Sequence, residues 1–190
     1  MIDLVHIREH SIPIPETYTI FGSPNDVKSY SPEHRDQIVF LDKAASTFIY
    51  EYAAAARLVT GEPWQPFSGA TFKFIEEYSQ FGDDPESAEN IKKWLFNRGI
   101  AFRNWVFILP TFNDYPVCAT WKMVIKYWNK LFFSDDLTIF DGSLNWSLFY
   151  YHEDRLIFGR DNIYDPSAEN TRMAELDELK RKFHQLNFPY

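Results

Sequence analysis

The chain has 190 residues, a length typical of one domain, and its hydrophobic share of 45% is enough to build a core. Its 19 basic and 27 acidic residues give a net charge of −8. This balance argues against nucleic acid and against an anionic membrane surface as partners, because both attract Lys and Arg. The same charge suits a basic protein partner, and it also serves plain solubility.

Further sequence features bear on the cellular compartment. Cys118 is the only cysteine, so no internal disulfide is possible. The first ten residues, MIDLVHIREH, lack a basic segment followed by a long apolar run, and no window approaches 18 apolar residues. We therefore predict a cytoplasmic protein that has neither a signal peptide nor a membrane-spanning segment.

The first third of the chain predicts an irregular arm followed by a long helix. Residues 2–7 alternate loosely, as in a short strand, and residues 11–32 are rich in Pro, which disfavours a helix. Residues 38–41 fit either a strand or the start of the long helix. That helix is predicted to end at Gly61, and its apolar face consists of Leu41, Ala45, Phe48, Ile49, Tyr52 and Ala56.

Two further helices are predicted, so that residues 33–99 are expected to be mainly helical. Residues 68–82 fit a short helix whose apolar side chains lie three residues apart: Phe72, Ile75 and Tyr78. Asp84 and Pro85 are suited to the N-cap and the first position of the next helix, which is predicted to end at Gly99.

Residues 100–190 predict an antiparallel sheet with helices. Strands are expected at residues 103–109, 137–141, 145–152 and 155–159, and a helix from Thr120 to about residue 132 is expected to bury Trp121 and Trp128. A last amphipathic helix would carry Met173, Leu176, Leu179, Phe183 and Leu186. The order of helices, strand, helix, three-strand meander and C-terminal helix predicts a single α+β domain over residues 1–190.

The tip of the last predicted hairpin is the first candidate site. It combines polar and aromatic side chains, namely Tyr150, Tyr151, His152, Glu153 and Asp154. A histidine beside carboxylates is compatible with acid–base chemistry, but neighbours in a turn seldom converge on one point. We therefore prefer a partner-binding role for this tip, and we predict no metal there because a metal site needs three or four ligands.

The second candidate site is an acidic stretch at residues 76–89, which contains no Lys or Arg. Its six carboxylates are Glu76, Glu77, Asp83, Asp84, Glu86 and Glu89. Helix capping accounts for Asp84, and the helix dipole favours Glu86 in the first turn, so that the rest is surplus charge at a predicted helix–helix connection. The spacing does not match a calcium loop, so we predict a negative face for a basic partner. Asp135 and Asp136 are expected to lie in a solvated loop.

Motifs for known enzyme classes are missing from the sequence. There is no GxSxG, GxxxxGK[ST], GxGxxG or CxxC, and the histidines have no partner at metal spacing. We predict no catalytic residue, no metal and no cofactor. The alternative is a hydrolase or another small-molecule enzyme that uses His152 and Glu153, with Cys118 as a possible nucleophile.

Residues 115–159 resemble small bacterial domains in which a Trp-bearing helix precedes a strand meander with an aromatic, His-Glu and Gly pattern. The residues that carry this resemblance are Trp121, Trp128, Trp146, His152, Glu153 and Gly159. The chain as a whole resembles immunity proteins of polymorphic toxin and contact-dependent inhibition systems. This resemblance implies a non-enzymatic cytoplasmic protein that binds and neutralises a cognate toxin domain.

Overall fold

The computed structural model describes residues 5–16, 20–59, 71–82, 84–111, 115–133 and 135–165, together with Ser167, Thr171, Ala174 and Glu178. The fold belongs to the α+β class, and its centre is an eight-stranded, fully antiparallel sheet of strand order β1-β2-β5-β4-β6-β7-β8-β3. The strands are β1 (Ser11–Ile12), β2 (Ile38–Leu41), β3 (Phe72–Tyr78), β4 (Trp105–Pro110), β5 (Val117–Thr120), β6 (Leu137–Phe140), β7 (Trp146–Tyr151) and β8 (Arg155–Asn162).

Helices cover both faces of the sheet. The helices are α1 (Pro24–Ser29), α2 (Pro32–Arg35), α3 (Lys43–Ala55), α4 (Pro85–Phe96), α5 (Trp121–Lys126) and α6 (Trp128–Leu131), with a 3-10 helix at Ile7–His10. Buried side chains of α1, α4, α5 and α6 share one core with the first face, and those of α3 and the 3-10 helix share a second core with the opposite face. Strand residues alternate between these cores, because successive side chains point to opposite faces.

The N-terminal segment is more regular than its proline content predicts. Pro24 and Pro32 each occupy the first turn of a short helix, where the missing amide hydrogen costs no hydrogen bond. The Ser23 hydroxyl oxygen caps α1 by accepting from the Asp26 amide, and the Asp26 carboxylate in turn accepts from the Ser23 amide. The expected irregular arm is therefore wrong for these residues. Ile7, the last residue of the strand expected at residues 2–7, instead begins the 3-10 helix Ile7–His10.

The helix predicted at residues 68–82 is wrong, because Phe72–Tyr78 forms strand β3 at the edge of the sheet. Phe72 is buried, whereas most of the strand is exposed, as an edge strand allows. The acidic stretch therefore connects a strand to α4 rather than two helices. Of the two alternatives for residues 38–41, the strand is the correct one, since they form β2 and the long helix begins at Lys43.

The second half follows the prediction more closely. The strands predicted at 103–109 and 137–159 lie in one antiparallel sheet. The prediction also holds just before this half, where α4 begins at Pro85 with Asp84 as its N-cap. Trp121 is fully buried, but Trp128 is only half-buried, because the expected single helix is interrupted at Tyr127. Strand β5 was not expected. The predicted C-terminal helix lies largely outside the described residues, and no helix within the described part is long and apolar enough to cross a membrane.

Candidate partner-binding surface

The two candidate segments, which are separate in the sequence, meet at one corner of the sheet. Strand β3 pairs with β8 over its whole length, and Tyr78 lies opposite Leu156. The ring of Phe81, just after β3, lies 6.1 Å from the ring of Tyr150 on β7. The connection from β3 to α4 therefore runs beside the β7–β8 turn. We call this region, comprising residues 80–82, 84–86, 128–133 and 152–154, the corner surface.

Several carboxylates of the acidic stretch are neutralised by basic residues from elsewhere in the chain. Arg98 donates to Glu76 at 2.6 Å, and Arg155 binds Glu77 through two nitrogens. Lys92 bonds Glu89 at 2.7 Å. The stretch itself contains no Lys or Arg, but these three acids are paired in the fold. Folding brings Arg98 and Arg155 beside β3, and Lys92 lies three residues after Glu89 on α4.

The remaining described carboxylates lie on the corner surface. Glu86, Glu153 and Asp154 are exposed and have no ion-pair partner among the described residues. Asp84 caps α4, and its bonds from the Ser87 hydroxyl and amide hold the pKa of Asp84 below its usual range. Asp83 lies outside the described residues. The corner surface therefore carries net negative charge at neutral pH.

The hairpin tip differs in detail from the predicted two-residue turn. Tyr151 pairs with Arg155, so the turn consists of His152, Glu153 and Asp154, and Asp154 has the left-handed φ of 57° that closes a three-residue turn. His152 therefore belongs to the turn and not to the strand predicted at 145–152. Tyr150 is fully buried in the first core, and burial raises the pKa of its hydroxyl well above the usual range, so its ring is not a surface anchor.

Asp136 is a site residue that the sequence prediction missed. It is buried, and its Oδ1 accepts hydrogen bonds from both the backbone amide and the ring Nδ1 of His152, each at 2.8 Å. The expected solvated loop is therefore wrong for Asp136, although Asp135 is exposed. The pairing of Leu137 with Tyr150 places Asp136 beside the hairpin tip, so the register of the predicted meander was the signal that could have located it.

An aromatic pocket opens on the corner surface. Its lining combines the rings of Phe81, Trp128, Phe132 and Phe133 with the polar groups of Asn129 and Asp154, and its volume is about 350 Å³. The Phe133 side chain is 75% exposed, which is unusual for a phenylalanine, and Phe81 and Trp128 are half-buried with their rings 6.2 Å apart. Exposed aromatic rings rimmed by carboxylates are typical of a binding surface.

The hydrolase alternative gains little from the arrangement of its residues. Cys118 is buried on β5, and burial raises the pKa of its thiol to about 12. His152 follows β7, three strands away from β5 in the sheet, which is a lateral separation of roughly 14 Å. Among the described residues, no group of three or more His, Cys, Asp and Glu side chains is placed to hold a metal ion.

The chain matches no protein-family model, and neither the curated proteins nor the solved structures include a significant match to it.

Proposed function

We propose that this chain is a non-enzymatic binding protein of the immunity type, which binds a basic toxin domain through the corner surface and neutralises it. The observation that carries the proposal is the convergence of two distant acidic segments around exposed aromatic rings. Glu86 comes from α4, Glu153 from the β7–β8 turn and Phe133 from the segment after α6.

Charged and aromatic residues of the corner surface have different roles in this proposal. Unpaired carboxylates at a rim speed the encounter with a basic partner, because complementary potentials steer diffusion. A large exposed ring such as Phe133 supplies buried area once the two surfaces are in contact, and a few such residues dominate binding free energies. A stable complex needs about 1,200–2,000 Å² of total buried surface, so the partner would extend beyond the pocket onto the neighbouring ends of α4 and β3.

Affinity capture with matched variants tests the proposal. The tagged wild type and a double variant, Glu86→Lys with Glu153→Lys, are used to capture proteins from the native cell. The control is Glu9→Lys with Glu51→Lys, which makes the same charge change at exposed positions on the opposite face of the sheet. We expect a basic protein that the wild type and the control retain and the corner variant loses.

The captured protein is then expressed alone and together with this chain. An immunity function requires that the partner is toxic by itself and harmless when the two are co-expressed. A partner that all three baits retain equally would show that the corner surface is not the interface. A partner whose toxicity is unchanged by co-expression would overturn the immunity function itself.

A further inference from the structure

We infer that the aromatic pocket of the corner surface binds the guanidinium group of an arginine side chain, which the basic partner inserts on binding; this inference rests on the proposed function. The pocket volume of about 350 Å³ is at the small end of the range for ligand sites, as expected for one side chain rather than a large cofactor.

The walls of the pocket suit a flat cation. Four aromatic rings contribute to the lining, and the rings of Phe81 and Trp128 meet edge to face at 66°. A cation above an aromatic face is attracted by the ring quadrupole, and tryptophan is the strongest such partner. A planar guanidinium stacks on these faces, which a compact ammonium group cannot do.

The polar groups of the lining are acceptors that match the donors of a guanidinium. Asp154 is one of the lining residues, and the one hydrogen bond described for its carboxylate is a long one, from the hydroxyl of Tyr150 to Oδ1 at 3.4 Å. The side chain of Asn129 adds a carbonyl oxygen. No Lys, Arg or His belongs to the described lining, so no internal cation occupies this place.

A second carboxylate lies at the rim. Gly82 lines the pocket, and a Cβ placed on it would lie 3.0 Å from Oδ2 of Asp84. Asp84 accepts hydrogen bonds from Ser87, which hold its pKa below the usual range, so it is ionised at neutral pH like any exposed aspartate. An uncharged apolar ligand would bury the charge of Asp154 without a cation to pair with it, which is unfavourable, whereas a guanidinium supplies that cation.

A titration with small arginine analogues tests this inference on the whole chain. The probes are N-acetyl-arginine amide, N-acetyl-lysine amide and the neutral isostere N-acetyl-citrulline amide, and the signal is the indole N–H resonance of Trp128, assigned with Trp128→Phe. We expect saturable binding of the arginine probe with a Kd on the order of 1–10 mM, weaker binding of the lysine probe and none of citrulline.

Matched variants separate the pocket from general charge. Asp154→Asn, which keeps a residue tolerant of the left-handed backbone, is expected to weaken arginine binding about tenfold. The control Glu51→Gln makes the same charge change at an exposed position on the opposite face of the sheet and should alter the Kd less than about twofold. Phe133→Ala should weaken arginine binding about two- to fivefold. Phe96, whose ring is also exposed, lies at the end of α4 outside the pocket, and Phe96→Ala should leave the Kd unchanged.

Each outcome decides one of the two proposals. No shift of Trp128, or equal shifts with arginine, lysine and citrulline, overturns the guanidinium site. If the arginine probe fails while the Glu86→Lys and Glu153→Lys variant still loses a captured partner, the proposed function stands and the pocket inference falls. If the probe binds and no partner uses the corner surface, the proposed function fails and the pocket is a site for a free guanidino compound.

Discussion

Arg155 holds Glu77 through two hydrogen bonds, from Nε at 2.7 Å and from Nη2 at 3.1 Å, and so links strand β8 to the edge strand β3. This pairing lowers the pKa of Glu77 and raises that of Arg155. The Glu77 side chain is still 46% exposed, so solvent screens the pair and its contribution to stability is below about 1 kcal/mol.

Glu77→Gln should therefore destabilise the fold slightly and in a pH-dependent way. Because the folded pKa of Glu77 is depressed, its contribution is complete above the unfolded value of about 4.5 and is lost as the pH falls through the lower folded pKa. Urea unfolding should show a loss of less than about 1 kcal/mol at neutral pH and a smaller loss at about pH 3. An equal loss at both pH values would show that the ion pair is not the cause.

Asp136 is expected to be a structural residue of the hairpin tip. Asp136→Ala removes the acceptor of two bonds and leaves the His152 amide without a partner, so we expect the free energy of unfolding to fall by about 2–3 kcal/mol. His152→Ala removes only the ring bond and should cost less than about 1 kcal/mol. Chemical denaturation measures both variants. If Asp136→Ala and His152→Ala lower the free energy of unfolding equally, the hydrogen bond to the His152 ring, and not the one to its backbone amide, is the contribution of Asp136.

How much of this fold the sequence predicts depends on how evenly each element is buried. The meander at 137–159 is predictable because both faces are covered and apolar residues dominate each strand. Strand β3 was mistaken for a helix because its exposed edge position removes the period-two pattern, and the remaining spacing of Phe72, Ile75 and Tyr78 also fits a helix.

The sequence predicts the parts of the candidate site that are local in the chain, but not the contacts between distant residues. The acidic residues and the hairpin tip are visible in the sequence because their composition is local. Their neutralising partners are not, since Arg98 and Arg155 are 22 and 78 residues away from Glu76 and Glu77. The aromatic pocket is not predictable from local sequence either. Its aromatic residues come from the segment after β3, from α6 and from the two residues that follow α6, and these segments meet only in the folded chain.

Cys118 should be unreactive in the folded protein. Burial raises its thiol pKa to about 12, so at pH 8 the thiolate fraction is on the order of 10⁻⁴, far below that of a free cysteine. Since Cys118 is the only cysteine, labelling with a chromogenic disulfide reagent reports on it alone. We expect slow labelling in buffer, limited by opening of the fold, and immediate labelling in denaturant. Fast stoichiometric labelling of the native protein would contradict this burial and reopen the nucleophile alternative.

Gly159 is expected to be required by the packing of β8 against β3. A Cβ at this position would collide with the ring of Phe72, so Gly159→Ala should cost about 1–3 kcal/mol through overpacking. Gly99→Ala is the matched control: its φ of +74° is strained for alanine, but a Cβ there meets no atom within 4 Å, and the cost should be about 1 kcal/mol. Phe72→Leu should recover part of the loss in the Gly159→Ala background and none in the Gly99→Ala background.

Once a partner is captured, charge and anchoring on the corner surface should separate in the binding kinetics. Glu86→Lys with Glu153→Lys should slow association about tenfold at low salt and leave dissociation nearly unchanged, because rim charges act mainly on the encounter. The difference from wild type should shrink as added salt shortens the screening length. Folding should survive, since both side chains are exposed and neither forms an ion pair with a described residue.

Phe133→Ala should give the opposite signature, because its ring is expected to be buried only in the complex. Dissociation should accelerate about 30-fold, which corresponds to roughly 2 kcal/mol, while the association rate and its salt dependence stay close to those of the wild type. Surface plasmon resonance at several salt concentrations measures both rates for each variant. If both variants match the wild type in both rates, the partner binds elsewhere. If the charge reversals alone have an effect, the corner surface steers the partner without contacting it, and the aromatic anchor must be sought on another face.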